Sequence, residues 1–204
     1  MSVKLIWITP NAEKHIAYCA RVSSSNQDNP NIERLLNYCI KNGHWSIFEM
    51  ASMCIEINTT RAISAQILRH RSFHFQEFSQ RYAKVEQDIE IPELRRQDNK
   101  NRQNSINDLD DKVIEELQKD IMEHFKKTKD LYKKILDKSV AKECARMILP
   151  MNSPTKIYMN GTIRDWIHYL RLRCGNGTQK EHVNIGLQIK EIFIKEFPVI
   201  GKMI

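Results

Sequence analysis

The sequence predicts an α+β fold in a single domain spanning residues 1–204, and three observations point that way. Short runs rich in β-branched and apolar residues occur at 3–9, 50–59 and 155–161, the pattern of half-buried or buried strands. Other segments carry apolar residues at helical spacing, the longest at 110–138. The chain has 204 residues, 41% of them apolar, which is enough for one sizeable core and makes one domain the default.

In chain order, residues 3–9 centre on Leu5-Ile6-Trp7-Ile8 and stop at Pro10, which predicts a buried strand. Asn11 is expected to cap a helix ending near Ala20-Arg21-Val22-Ser23. Residues 31–42 place Ile32, Leu35, Leu36 and Ile40 on one helical face, and Gly43 supplies the stop signal. Residues 50–59 alternate apolar and polar side chains as a strand does. Thr60 is expected to cap a short helix at 61–68, which delivers Gln66 and Arg69 one turn apart.

Residues 87–107 are polar, contain Pro92 and the run from Arg95 to Arg102, and show little periodicity, so they are expected to form a mobile loop or lid. The helix at 110–138 has its stripe in Ile114, Leu117, Ile121, Phe125, Leu131 and Ile135, a packing pattern. Glu143 and Arg146, three apart, can hold each other on a helix that Pro150 ends. Thr162 caps a helix running to Arg173, on which Arg164 and His168 share one face while Arg173 projects roughly opposite. A last amphipathic helix carries Val183, Leu187, Ile192 and Phe193.

Composition narrows the function. The formal charge of +7 points to an anionic partner: a nucleotide, a polyglutamylated cofactor or a nucleic acid. Much of the excess sits in lysines such as Lys119, Lys126 and Lys133, spaced as on a solvated helix face. The five cysteines are scattered, without a Cys-x-x-Cys pair, which argues against a disulfide framework and a structural metal. No apolar stretch approaches the roughly 18 residues needed to span a bilayer, and no signal-peptide pattern opens the chain. A soluble cytoplasmic protein is expected, in the host cytoplasm if the source is viral.

The most informative stretch runs from Arg69 to Tyr82, with three arginines, two histidines and one carboxylate, Glu77. Clustered guanidinium groups call for an anionic partner or strong solvation. Ser79 and Gln80 add neutral donors, and Phe73, Phe75 and Phe78 offer walls for a flat ring. A solvated basic loop would have the same composition.

Arg69-His70-Arg71, seven residues, then Ser79 resembles the signature of the flavin-dependent thymidylate synthases, and Glu77, Ser79, Arg81 and Tyr82 are similar to its longer form. Further segments resemble the same family: Ala20-Arg21-Val22-Ser23, Gly43-His44-Trp45-Ser46-Ile47-Phe48-Glu49, the block from Glu143 to Pro150, the helix from Thr162 to Arg173, and the pair Gln179 and Glu181. His74, Gln76 and Thr162 stand where the family often has serine, asparagine and asparagine.

The resemblance implies a central, mostly antiparallel sheet flanked by long helices. It implies reductive methylation of dUMP to dTMP, with methylenetetrahydrofolate giving the carbon and NADPH the hydride through FAD, in a homotetramer with shared active sites. The residues it implicates with flavin are Ser46, Arg69, His70, Arg71, Glu77, Thr162, Arg164 and His168, with His44 and Ser23 nearby. Gln66, Arg69, Glu77, Ser79, Gln80, Arg81, Arg146 and Arg173 are implicated with the nucleotide, Arg146 from another subunit, and Arg173 as the catalytic residue. Neither Cys174 nor Ser79 is expected to be a nucleophile, since Cys174 follows Arg173 by about 100° of helix and no Ser-His-Asp set surrounds Ser79. Neither membrane nor nucleic acid is an expected partner on this reading. The alternative is a basic nucleic-acid-binding module, with Arg69 to Arg81 on phosphates and phenylalanines stacking bases.

Overall fold

The computed structural model describes residues 1–175 and 177–204. The strands are β1 (Ser2–Ile8), β2 (Ser52–Thr60), β3 (His74–Glu77), a short hairpin of β4 (Arg96–Gln97) and β5 (Ser105–Ile106), and β6 (Pro154–Thr162). The helices are α1 (Ala12–Ala20), α2 (Glu33–Lys41), α3 (Arg61–Ile67), α4 (Asp111–Asp137), α5 (Lys142–Ala145), α6 (Ile163–Arg173) and α7 (Lys180–Glu196). Four strands make one sheet in the order β1-β2-β6-β3, so the fold is α+β with an antiparallel sheet. The chain clusters into two compact units, one of Met1–Asn58, Ile67–Gln76 and Ile157–Ile204, the other of Thr59–Gln66 and Glu77–Lys156.

In the first unit, β1 runs antiparallel to β2, Ser2 opposite Asn58 and Ile8 opposite Met53, with a register shift between Leu5 and Trp7. The N–H of Ile163 donates to the carbonyl of Ala51 and that of Arg61 to the carbonyl of Ser153, so the end of each of β2 and β6 lies at the start of the other and the two run antiparallel. Central position explains why Met53, Ile55 and Ile57 of β2 are fully buried. The expectation of a buried β1 is corrected here: β1 is an edge strand, none of its residues is buried, and Trp7 is 45% exposed. Apolar content alone does not separate an edge strand from a central one.

Helix α6 follows β6 directly and buries Ile163, Trp166, Ile167, Tyr169 and Leu170. Its far side meets α7, where a Cβ on Gly186 would sit 3.3 Å from Cys174 Sγ and 3.5 Å from the Arg173 backbone. Glycine thus sets the closeness of that crossing. Asn11 occupies the position before α1, but in the left-handed region (φ 52°) and without a side-chain hydrogen bond. Its expected capping role is therefore absent, and the αL backbone, which Asn tolerates better than most residues, explains the choice.

In the second unit, α4 begins where expected because Asp110 accepts from the Lys112 N–H at 2.9 Å. The expected packing stripe is only partly covered: α4 buries Tyr132 alone, while Leu117 and Leu131 are 42% and 48% exposed. Residues 87–107 also hold regular structure that the sequence did not announce: β4 and β5 pair, and the turn between them is gathered around Asp98, which accepts from Lys100 N–H, Asn101 N–H and Asn104 Nδ2. Strands of two residues leave no periodicity to read.

Gly161 is required where β6 meets Phe73, since an added Cβ would lie 2.5 Å from the Phe73 ring. That ring packs edge-on against Trp166, centroids 4.7 Å apart. Gly161→Ala is expected to cost about 1–3 kcal/mol through overpacking, read as a lower urea midpoint at unchanged m. An unchanged midpoint would show that Phe73 can yield.

Candidate active site

The site in the first unit is built on α6. Thr162 opens the helix with a capping box, its hydroxyl accepting from the Asp165 N–H at 3.3 Å while the Asp165 carboxylate accepts from the Thr162 N–H at 2.9 Å. The Thr162 hydroxyl also meets Asp165 Oδ2 at 2.7 Å, so this side chain is engaged in starting the helix. One turn on, the Trp166 indole N–H donates to the Met53 carbonyl at 2.9 Å. With that face locked in the core, Arg164 and His168 are left exposed and Arg173 half-buried at the helix end.

Arg173 Nε donates to His70 Nε2 at 2.8 Å, joining two segments 103 positions apart in sequence. His70 sits in a turn closed by its own N–H to the Ile67 carbonyl and by the Phe73 N–H to the His70 carbonyl, both 3.1 Å. Its ring stands edge-on to Tyr169 at 4.9 Å. Burial first, then the charges of Arg173 and His168, lower its pKa to about 4, so the ring is neutral near pH 7 and Nε2 can accept. Behind it, Tyr169 Oη and His182 Nε2 are 3.0 Å apart. Burial likewise lowers His182 to about 4 and pushes the Tyr169 phenol above its ordinary value.

Arg164 and His168 line a groove of about 620 Å³ with Trp45, Glu49, Ser72 and Arg171. Arg164 pairs with Glu49, and the Arg171 guanidinium lies 5.4 Å from the centre of the Trp45 ring, within cation–π range. Ser46, exposed, begins the 3-10 turn Ser46–Glu49 that carries Glu49. Arg69 and Arg71 flank His70 in the exposed turn, and neither has an ion-pair partner among the described residues.

The second unit holds the remaining candidates. Glu77 accepts from the Ser64 hydroxyl and, at 3.0 Å, from Thr155, and it pairs with Arg61 at 2.6 Å. Ser79, partly buried, closes a turn by accepting from the Tyr82 and Ala83 N–H groups at 3.1 and 3.0 Å. Gln80 is 6% exposed, and its Nε2 has no partner among the described residues. Arg81 pairs with Glu143 at 3.1 Å. The expected Glu143–Arg146 pair is thereby corrected: Glu143 is taken up by Arg81, and α5 gives way at Arg146 to a 3-10 turn, Arg146–Ile148. Arg146 is half-buried there, and Gln66 lies in α3.

The model of the family described as "Thymidylate synthase complementing protein" matches residues 4–199. The chain is 55% identical to a flavin-dependent thymidylate synthase of Synechocystis, covering 91% of this chain and 86% of that one. It is 53% identical to a probable flavin-dependent thymidylate synthase of Paramecium bursaria Chlorella virus 1, covering 99% and 98%. The chain belongs to the flavin-dependent thymidylate synthase family. Among solved structures, the UMP/dUMP methylase PolB from Streptomyces cacaoi, bound with 5-Br dUMP, is similar with TM-score 0.87 and 22% identity, over 98% of this chain and 93% of that one. At that identity the likeness shows the fold.

Relative to the family's segments, the structure adds residues that no local pattern flagged. Arg61, Ser64 and Thr155 hold Glu77; Glu49 and Arg171 shape the groove; Tyr169 and His182 back His70. Arg61, Ser64, Thr155 and His182 lie outside the family-like segments, whereas Glu49, Tyr169 and Arg171 lie within two of them, whose resemblance could have singled them out. Cys174 caps α6 against Gly186, a packing position. Among the described residues, no helix is long and apolar enough to cross a membrane.

Half-buried His70 and fully buried His182 make stability depend on pH. Folded His70 and His182 have pKa values near 4 against the ordinary 6.5. The unfolded chain therefore binds protons as pH falls from about 6.5 to 4, while the folded chain does not, and stability is lost on acidification through that window. Thermal midpoints measured from pH 7 to 4.5 should fall, and the fall should be shallower in His182→Gln, which keeps an acceptor for Tyr169 without a titrating ring.

Proposed function

We propose that the chain is a flavin-dependent thymidylate synthase that converts dUMP to dTMP, with methylenetetrahydrofolate as carbon donor and NADPH as hydride source, acting in the cytoplasm as a single synthase domain over residues 1–204. The observation that carries the reading is the His70–Arg173 bond, which joins the Arg-His-Arg segment to the family's arginine at the end of α6. A neutral acceptor leaves the full positive charge on Arg173. A fixed cation of this kind favours the ionised pyrimidine and needs no reorganisation when negative charge develops.

The residues present fit FAD and a nucleotide. A groove combining Trp45 and the guanidinium groups of Arg164 and Arg171 suits a flat ring with an anionic tail. The unpartnered amide N–H of buried Gln80 calls for a ligand acceptor, because an unmet buried donor costs about 1–3 kcal/mol. When bound, FAD supplies the two-electron transfer between NADPH and the new methyl group. Arg69, Arg71, Arg164 and His168, with Ser46 and Thr162, are proposed to hold it. Gln66, Ser79, Gln80, Arg81 and Arg146 are proposed to bind dUMP, with Glu77 positioned by Arg61, Ser64 and Thr155. The comparisons give the nucleic-acid alternative no support.

The assembly is proposed to be a homotetramer with sites shared between subunits. The incompletely covered apolar stripe of α4, with Val113, Leu117, Met122 and Leu131 exposed, supports association of copies. Mixing inactive Arg71→Ala with inactive Arg173→Ala chains by unfolding and refolding should restore some activity through hybrid sites. An active monomer by light scattering would end the proposal.

The central test is the purified protein itself, which should be yellow and release FAD on denaturation. Arg71→Ala should stay folded but carry far less FAD, since a charge-assisted contact is worth about 1.5–3 kcal/mol. Arg173→Lys should bind FAD and oxidise NADPH, yet form dTMP about 10²-fold more slowly or worse. Near-parent dTMP formation with weakened dUMP binding would make Arg173 a clamp only.

A further inference from the structure

We propose that His70 is the positioning residue of Arg173, a neutral imidazole that fixes the guanidinium by its inner nitrogen without neutralising it. This rests on the reading of Arg173 as the charge that acts on the pyrimidine. Arginine has several rotatable bonds, and an unanchored side chain would lose much of its entropy only on meeting substrate. In the structure Nε is already engaged, at 2.8 Å from His70 Nε2. The two terminal amino groups, which form the recognition fork, take no part in that bond.

The anchor is rigid for identifiable reasons. The His70 ring is flanked edge-on by Tyr169 at 4.9 Å, Phe73 at 6.3 Å and His182 at 6.3 Å. Tyr169 is wholly buried, and its hydroxyl meets His182, itself wholly buried on α7. The titratable groups facing His70 are Arg173, His168 and Tyr169 from α6 and His182 from α7, and the charges acting on it are those of Arg173 and His168. A carboxylate at position 70 would orient Arg173 equally well but would cancel its charge, which is what the reaction uses. An acceptor Nε2 requires the proton on Nδ1, so one tautomer is selected.

The test uses the flavin-loaded enzyme and three variants. His70→Leu removes the acceptor and is expected to lower kcat for dTMP formation, per bound flavin, by about 10- to 100-fold. NADPH oxidation per bound flavin should change little. His70→Gln, which offers an amide oxygen, should recover most of the loss. In an Arg173→Lys background, which has no Nε donor, His70→Leu should add almost nothing, because the two residues act as one unit. If the His70→Leu penalty is the same in both backgrounds, or vanishes once corrected for flavin content, His70 is a flavin ligand and the proposal falls. If Arg173→Lys alone keeps the parent dTMP rate, the reading of Arg173 fails instead, a separate outcome. Nitrogen-15 NMR of the unmutated protein gives a second arm that needs no variant: the proposal requires a proton on His70 Nδ1 and none on Nε2, and the opposite tautomer overturns it.

Discussion

The first unit depends on one constraint, the complete burial of the inner face of α6. Ile163, Trp166, Ile167, Tyr169 and Leu170 are sunk in the core, and the Trp166 indole is tied to the backbone of β2. A helix held this way cannot rotate about its axis, so its outward residues are aimed by geometry and not by their own contacts. Arg164 and His168 reach the groove for that reason, and Arg173 reaches His70. Both helix ends are determined as well: the capping box sets the start, and the close pass of α7 at Gly186 sets the finish.

This explains which parts were legible in sequence. The start of α6 was, because Thr162 and Asp165 form a local capping signal, and so was the start of α4, because Asp110 does the same. Signals of this kind lie within four residues and need no knowledge of the fold. The exposure of β1 was not legible, since Leu5-Ile6-Trp7-Ile8 looks the same on an edge as in the centre of a sheet. The hairpin of β4 and β5 was hidden for a different reason: its order comes from Asp98 gathering turn donors, with too few strand residues to produce a period.

The candidate site divides along the same line. Arg69, His70, Arg71 and Arg173 were found through motifs, yet the bond between His70 and Arg173 joins positions far apart and has no local trace. Glu77 was read as a ligand contact from its place in the signature. Its carboxylate meets Arg61, Ser64 and Thr155, none of which stood out locally. Tyr169 and His182 looked like ordinary helix residues, and only burial reveals them as a polar pair inside an apolar core.

The distribution of carboxylates gives these pieces a common electrostatic logic. Glu77, Glu143 and Glu49 are taken up by Arg61, Arg81 and Arg164, so the carboxylates of the family-like segments at these positions are already used. Arg173 is held instead by a neutral ring, and Arg69 and Arg71 by no described carboxylate. Exposed pairs such as Arg81–Glu143 and Arg164–Glu49 are weakly bound and can exchange partner for a ligand anion at little cost. The Arg61–Glu77 pair is more enclosed, with side chains 34% and 17% exposed, and so is better placed to stay intact as scaffold. The pattern separates arginines that a carboxylate engages from those that none does, and His70 is the residue that lets Arg173 be fixed without a carboxylate.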